Sequence, residues 1–321
     1  MLAALVTIQK NVREPTPRDF EQVWFAAQAV VSGTNPYSQV GPGMAFDWPL
    51  PLVYPLPAAV AAVPFAALSA RSATVLFSAL AGMALAWALM ECGYGPLFGF
   101  FSMPVRAAFE TVQWSPLLAA SMITPLLALF LVAKPTVGSA MFFARPSRWA
   151  LVGAIVFGGI AFLIQPGWIA DWIDAVARNN AMQSPTVPYR SPISFWGGPL
   201  ALLCLLRWRR PEARLVAALA CVPQTLVWYE TVPLMLVPRT FWQSVAVVAL
   251  SYIGHLWVRL HLPPVYHEGL SYQLVGQTMI WSLYLPCTLL VLRRTNAGEL
   301  SAWLERRIAG WPTWLRGHDH E

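Results

Sequence analysis

Long apolar runs separated by short polar breaks dominate this chain, and their lengths predict membrane-spanning helices. The runs that approach a crossing length lie at 50–70, 73–90, 115–133, 149–164, 193–206, 215–229, 241–258 and 273–292. Shorter apolar stretches at 96–112, 136–144 and 231–238 predict re-entrant or half-crossing segments. A helix needs about 20 residues to cross a bilayer, so we predict an all-α polytopic membrane fold with about eight to ten transmembrane or half-spanning helices.

Polar segments interrupt this pattern, and the first of them, at about 16–49, predicts an ordered helix outside the apolar runs. Thr16 and Pro17 are typical of a helix start, Asp19 occupies the capping-box position, and Gly33 suits the end. Apolar residues recur at helical spacing between them, which predicts an interfacial helix. The segment at about 165–191 repeats the pattern and predicts a second interfacial helix.

Composition places the whole chain, residues 1–321, in a single integral membrane domain. Hydrophobic residues make up 57% of it and charged residues only 11%, whereas soluble domains carry about 25% charged residues. The net charge of +6 comes from arginines scattered over short loops, a pattern that favours positive-inside topology and does not indicate nucleic-acid binding.

The distribution of charge also predicts a topology. Basic segments are assigned to the cytoplasm, together with a basic amphipathic tail at about 295–321 that suits an anionic membrane surface. They lie at Arg71, 134–148, 207–214 and from Arg293 onward. The loops that hold Asp19, Asp171 and His267 then fall together on the external face, where they would build one site.

Two features of the chain leave alternatives open or point to no site. Residues 1–8 are apolar but too short to span, so either the N-terminus begins outside the bilayer or a first span is missing. The cysteines form no CxxC pair, and no metal-ligand cluster is evident, so we predict no metal.

Short motifs follow one another in order between residues 17 and 240. They are Asp19-x3-Val-Trp-x-Ala-Ala-x-Ala-Val-Val-x-Gly-x-Asn-Pro-Tyr37, Tyr54-Pro-x-Pro57, Pro64-Phe65, Val112-Gln113-Trp114-Ser115-Pro116, Lys134-Pro135-Thr136-Val137-Gly138 and Pro166-x-Trp168. This order resembles the GT-C superfamily of membrane glycosyltransferases, and most of all the family-87 polyprenyl-phosphate-mannose-dependent enzymes of bacteria. Two features depart from that pattern: Val112 and Ser115 replace the family's Gly and Asn, and the span that should precede Asp19 is absent.

The resemblance implies an inverting transferase in the bacterial plasma membrane, with its active face external. The donor would be a polyprenyl-phosphate sugar, often mannose, and the acceptor a lipid-linked glycan or glycolipid. No cofactor besides the lipid-linked donor is implied. Asp19 matches the family's catalytic base; the alternative is that Asp19 only caps its helix with Thr16.

Other polar residues are candidates for substrate binding, each with a structural alternative. They are Glu21 (or a solvated helix face), Asp47 and Arg190 (or loop solvation), Glu230 beside Trp228-Tyr229 (or an aromatic belt), His255 in an apolar run (or a hydrogen-bonded structural His) and His267 beside Glu268 (or loop exposure). Lys134 and Arg239 are candidate phosphate partners, although the topology above places both on the cytoplasmic face, where charges at span ends commonly snorkel.

Two other functions stay open alongside the transferase. One is a non-catalytic polytopic protein such as a lipid or glycan transporter, which more often shows paired repeats; no clear internal repeat is present. The other is an inactive accessory subunit that keeps a GT-C scaffold.

Overall fold

The computed structural model describes residues 2–13, 18–182, 190–262 and 268–297, and these are mostly helical. The α-helices are α1 (Leu2–Arg13), α2 (Asp19–Val31), α3 (Leu56–Ala62), α4 (Ala70–Glu91), α5 (Met103–Thr111), α6 (Ser115–Ala120), α7 (Pro135–Ala144), α8 (Arg148–Ile164), α9 (Trp168–Met182), α10 (Pro211–Cys221), α11 (Phe241–His261), α12 (Glu268–Met279) and α13 (Leu285–Leu292). Segments of 3-10 helix cover Pro36–Ser38, Val63–Phe65, Pro96–Phe101, Pro125–Ala133, Pro192–Ser194, Gly198–Arg207 and Trp228–Leu236, and a π-helical turn at Ile280–Tyr284 joins α12 to α13. In the loop after α2, two-residue strands β1 (Val40–Gly41) and β2 (Phe46–Asp47) pair with each other. The all-α prediction is confirmed for these residues.

Three helices among the described residues are long and apolar enough to cross a membrane. They are α4, α11 and the continuous helix Tyr272–Leu292, and they match the predicted spans at 73–90, 241–258 and 273–292. Helices α8 and α9 would add a fourth as one broken span, but their axes meet at 94°. Helix length thus supports these crossings, and the other predicted ones are shorter or broken.

Proline accounts for several of these breaks. The predicted span at 115–133 is α6 followed by the 3-10 segment Pro125–Ala133, and the one at 215–229 ends with α10, two residues before Pro223. Proline has no N–H to continue a helix and disfavours helical geometry in the preceding residue. An apolar run interrupted in this way stays hydrophobic but loses the length of a single helix.

The break before Pro125 also reverses the chain, which makes part of the predicted topology wrong. Arg145 donates a hydrogen bond to the carbonyl oxygen of Met122, while Lys134 Nζ lies 3.1 Å from Gln113 Oε1. The segment therefore leaves the Gln113 end of the bundle, turns near Met122 and returns at Lys134. The sequence predicts that Lys134 lies with Arg145 on the face opposite Asp19; Lys134 lies instead at the end that holds Asp19.

We call these two ends the site end and the arginine end. The site end holds Asp19, Gln113 and Lys134. At the arginine end, Arg214 donates to the carbonyl of Ala144 at 2.9 Å. Buried Glu212 also lies there, and its Oε1 lies 2.8 Å from Arg294 and 3.5 Å from Arg210 and Arg239. Arg71 was also predicted to lie with these arginines, and that placement is wrong: it is in the first turn of α4, close to α2, since Trp24 Nε1 donates to Leu68 O at 3.1 Å.

An aromatic cluster holds the site end together. Phe20 of α2 stacks on Phe77 of α4 with ring centroids 4.0 Å apart, and Trp114 meets Phe77 edge-on at 4.9 Å. Phe20 and Trp114 are fully buried, and each aromatic pair adds about 0.5–1.5 kcal/mol beyond the area that it buries. Phe20 follows Asp19 and Trp114 follows Gln113, so the cluster fixes the backbone at both polar residues.

Close packing of α8 gives a testable consequence. A Cβ at Gly153 would lie 2.1 Å from the carbonyl oxygen of Leu129, whereas one at Gly158 would meet nothing within 4 Å. We expect Gly153→Ala to cost about 1–3 kcal/mol through overpacking, and Gly158→Ala to be neutral or stabilising by up to about 1 kcal/mol through helix propensity. Thermal unfolding of both variants in detergent micelles measures the difference, and equal midpoints would contradict this packing.

Candidate active site

Asp19 does not serve as the capping-box carboxylate of α2. Arg18 is the N-cap residue, and its backbone N–H donates to Glu21 Oε1 at 3.1 Å. The predicted cap residues Thr16 and Pro17 lie outside the described residues. The carboxylate that closes the capping box is thus Glu21, three residues after the cap, and the prediction that gave this position to Asp19 is wrong.

Asp19 instead belongs to a buried polar network that joins four distant segments. Its Oδ2 accepts a hydrogen bond from Gln113 Nε2. Gln113 Oε1 accepts from Lys134 Nζ at 3.1 Å and from the Tyr54 hydroxyl at 3.2 Å. Lys134 Nζ also lies 2.9 Å from Glu230 Oε1. We call Asp19, Gln113, Lys134 and Glu230 the polar network.

A threonine hydroxyl and a tyrosine ring also contact the charged residues of the network. Thr225 Oγ1 donates to Glu230 Oε1 at 3.0 Å, and the Lys134 ammonium lies 4.6 Å from the centroid of the Tyr229 ring. The Lys134 and Glu230 side chains are only 12% and 1% exposed. Removing two charges from water costs several kcal/mol per ion before their attraction is counted, so stability alone is a weak reason for this pair.

One oxygen of the network has no partner. Glu230 Oε2 is buried and makes no hydrogen bond with any residue that the structure describes. Buried polar atoms are rarely left unsatisfied, and exceptions commonly mark functional positions. A hydroxyl or amide donor placed beside this oxygen would satisfy it.

Backbone strain marks the residue before Gln113. Val112 ends α5 in the left-handed region, with φ at 55° and ψ at 67°. This conformation is an outlier for a β-branched residue and costs about 1–3 kcal/mol, whereas glycine adopts it freely. The structure thus gives a physical reason why glycine suits this position in the motif that the segment resembles, despite the valine found here.

Burial is the main influence on the ionisation of Asp19. It raises the pKa of this carboxyl to about 6, and the positive charge of Lys134 opposes the shift. The negative charge of Glu230 raises the pKa further, while the hydrogen bond from Gln113 lowers it. A carboxylate tuned in this way ionises just below neutral pH, where a general base is most effective.

The structure places the other predicted binding residues at varied distances from this network. Glu230 belongs to it, whereas Glu21 caps α2. Asp47 Oδ1 accepts from Gly43 N at 2.9 Å in an exposed loop, which matches the loop alternative. Arg190 is joined through its backbone to Gln224, whose N–H donates to Arg190 O at 3.2 Å; Gln224 directly precedes Thr225.

The remaining candidates lie elsewhere. His255 meets Trp228 edge-on, with ring centroids 6.2 Å apart, and its Nδ1 makes no hydrogen bond with the described residues. Arg239 is at the arginine end with Glu212, whereas Lys134 is at the site end with Gln113, so the two proposed phosphate partners are separate. His267 lies outside the described residues.

The expected proximity of the first two polar segments is confirmed. Asn35 Nδ2 donates to Asp171 Oδ2 at 3.1 Å, and Trp172 Nε1 donates to Val53 O at 2.8 Å. Sequence reasoning missed Gln113 and Thr225 as network residues. The motif that contains Gln113 was the available signal, whereas nothing near Thr225 distinguishes it from other loop hydroxyls.

The opposing effects of Lys134 and Glu230 on Asp19 can be measured. We expect Lys134→Gln to raise the pKa of Asp19 above about 6 and Glu230→Gln to lower it, because removing a cation disfavours the carboxylate and removing an anion favours it. Infrared titration of the carboxyl band, with Asp19→Asn to assign it, reports both shifts. Lys134→Arg keeps the charge and serves as the control; a pKa that moves as far in this variant as in Lys134→Gln would contradict the electrostatic origin.

Comparison with known proteins identifies no relative: no protein-family model, no curated protein and no solved structure matches the chain significantly.

Proposed function

We propose that the protein is a membrane glycosyltransferase of the GT-C type, acting at the external face of a bacterial plasma membrane. It would move a sugar, mannose by the resemblance, from a polyprenyl-phosphate carrier to a lipid-linked or glycan acceptor. One observation carries this proposal. The motif segments that suggested the resemblance, at Asp19, Tyr54, Gln113 and Lys134, are far apart in sequence and meet in one hydrogen-bonded network.

Asp19 is the proposed general base. Its carboxylate removes the proton from the acceptor hydroxyl while the acceptor oxygen forms a bond to the anomeric carbon. The bond between that carbon and the phosphate oxygen breaks, and the lipid phosphate leaves with the electron pair. Attack opposite to the leaving group inverts the anomeric centre, so one carboxylate suffices.

Lys134 is the proposed partner of the leaving phosphate. Its ammonium lies within hydrogen-bonding distance of both Gln113 and Glu230, and a cation placed where negative charge develops stabilises the transition state. The sequence-based objection was that Lys134 would lie on the wrong face. Its position at the site end removes that objection and supports this role.

The N-terminal helix bears on the rival hypothesis of an inactive scaffold. Helix α1 packs against α4 and α5, with Thr7 Oγ1 2.7 Å from Ser78 Oγ and 3.1 Å from Phe109 O. A helix thus precedes Asp19 and contacts α4, which carries Phe77, and α5, which leads to Gln113. This packing favours an assembled site over a degenerate one.

Transfer of labelled sugar tests the base directly. Purified protein is mixed with a polyprenyl-phosphate-mannose donor and a lipid acceptor fraction, and we follow labelled product and released polyprenyl phosphate. We expect Asp19→Asn to lower the rate by about 10²–10⁴-fold, as for loss of a general base, while Asp47→Asn in the exposed loop leaves it unchanged. Full activity in Asp19→Asn would sink this assignment, and movement of intact donor across vesicles without phosphate release would favour the transporter.

The pH dependence of transfer provides an independent check. The base must be ionised, and the pKa of Asp19 is raised to about 6. We therefore expect the rate to fall tenfold per pH unit below about pH 6 and to level off above it. In Glu230→Gln the midpoint should move to lower pH; an acidic limb that stays at the same pH would indicate that another group controls it.

A further inference from the structure

A row of charged residues lies along the outside of helices α5 and α11. The two helices pack side by side, and the backbone N–H of Met103 donates to Ser251 Oγ at 3.1 Å. On α5, Arg106 Nε lies 2.8 Å from Glu110 Oε1, with the side chains 55% and 24% exposed. The two residues are one helical turn apart, and their ion pair faces outward.

Helix α11 contributes the facing row. Tyr252, His255 and Arg259 follow one another at spacings of three and four residues, which places them on one side of the helix. The charges of Arg106, Glu110 and Arg259 act on His255, and Tyr252 interacts with Arg106. We call Arg106, Glu110, His255 and Arg259 the lateral strip.

The surroundings of the lateral strip are apolar. Large hydrophobic side chains of α11 stand exposed beside it, among them Ile253, Leu256, Trp257 and Leu260, the last 70% exposed. Because α11 is long and apolar enough to cross a membrane, this surface is suited to contact lipid tails. Ionisable residues at such a place are costly and commonly functional.

The lateral strip carries more positive than negative charge. Glu110 neutralises Arg106, but Arg259 makes no ion pair with any residue that the structure describes. His255 Nδ1 is buried without a hydrogen-bond partner among those residues. Arg259 therefore leaves one net positive charge at the lipid side, with the unused ring nitrogen of His255 one helical turn away, and guanidinium groups match phosphate oxygens in geometry.

The strip also adjoins the polar network. His255 contacts the Trp228 ring, and Trp228 directly precedes Tyr229 and Glu230. Gly254 allows this approach, since a Cβ there would lie 3.0 Å from the edge of the Trp228 ring. On the other side, α5 runs from Arg106 through Glu110 to its end at Thr111, two residues before Gln113.

We propose that the lateral strip is a docking site for the phosphate head group of a membrane lipid that approaches the polar network sideways from the bilayer. Arg259 and His255 hold the phosphate, and Arg106 turns from Glu110 to complete the contacts. The further step that this lipid is the sugar carrier rests on the proposed function. A phospholipid head group and inorganic phosphate share the same chemistry, so the test separates them.

Binding of undecaprenyl phosphate to the intact protein in detergent micelles tests the strip. Native mass spectrometry gives Kd for undecaprenyl phosphate, phosphatidylglycerol and inorganic phosphate. We expect Arg106→Met and Arg259→Met each to raise the Kd for undecaprenyl phosphate at least about tenfold, as for loss of a charged hydrogen bond. The control is Arg148→Met, which removes an exposed arginine stacked over Trp149 at the start of α8, near the arginine end; it should bind as the unaltered protein does.

Unchanged binding in both strip variants, with unfolding midpoints intact, would overturn the proposal. Equal affinity for phosphatidylglycerol would overturn the carrier step and leave a general anionic-lipid site. Tight binding of inorganic phosphate alone, equally lost in both variants, would overturn lipid docking, because the lipid tail would then contribute nothing to the affinity.

Kinetics separates this proposal from the proposed function. If docking is right, Arg106→Met raises the KM of the polyprenyl-phosphate donor with little change in kcat, and Arg106→Lys restores part of it. Loss of transfer in Asp19→Asn together with an unchanged donor KM in Arg106→Met would overturn the strip and leave the transferase standing. Weakened lipid binding in the strip variants of a protein that transfers no sugar would support the strip and overturn the transferase.

Discussion

The hydrogen bond from Gln113 to Asp19 is the contact on which the arrangement of the site end depends. A primary amide has a donor end and an acceptor end, and the two are not interchangeable. With Asp19 on the donor side and Lys134 and Tyr54 on the acceptor side, the orientation of Gln113 is determined: a reversed amide would set its oxygen against a carboxylate and its N–H groups against a cation. The amide thus transmits polarity between a carboxylate and an ammonium group that make no hydrogen bond to each other.

The supports of this contact are apolar. Phe20 and Trp114, the neighbours of Asp19 and Gln113, meet on the Phe77 ring, so aromatic stacking fixes the backbone that carries the two polar side chains. Such a division of roles suits a site that must bind charge: the network can rearrange around a ligand while the backbone that carries it stays fixed. The strained Val112 fits the same picture, because its conformation aims Gln113 at the network and is held by burial on all sides.

Sequence reasoning predicted much of the helical framework because its main signal, apolar length, is local. Helices α4 and α11 follow from it nearly residue by residue. The helix α2 was also expected, but its predicted cap was wrong: the N-cap is Arg18 and the capping carboxylate is Glu21. What it could not predict is where a continuous apolar run is broken: 115–133 has the composition of one span, yet Pro125 divides it. That single break decides which end of the bundle Lys134 occupies, and an ion pair to Glu230 depends on contacts that no local pattern encodes.

The long separations within the polar network have a consequence for biogenesis. Asp19 and Gln113 are 94 residues apart. Lys134 and Glu230 are also far apart in the sequence, and Glu230 is synthesised later. A ribosome adds roughly 5–20 residues per second, so Lys134 emerges several seconds before its counter-ion exists. During that interval the Lys134 ammonium group has Gln113 as a partner but neither Tyr229 nor Glu230. Otherwise it stays in contact with water until the last third of the chain is made. Assembly of the network is therefore a late event, and the nascent protein passes through a stage in which α4 has been made but the charge of Lys134 is not yet paired with Glu230.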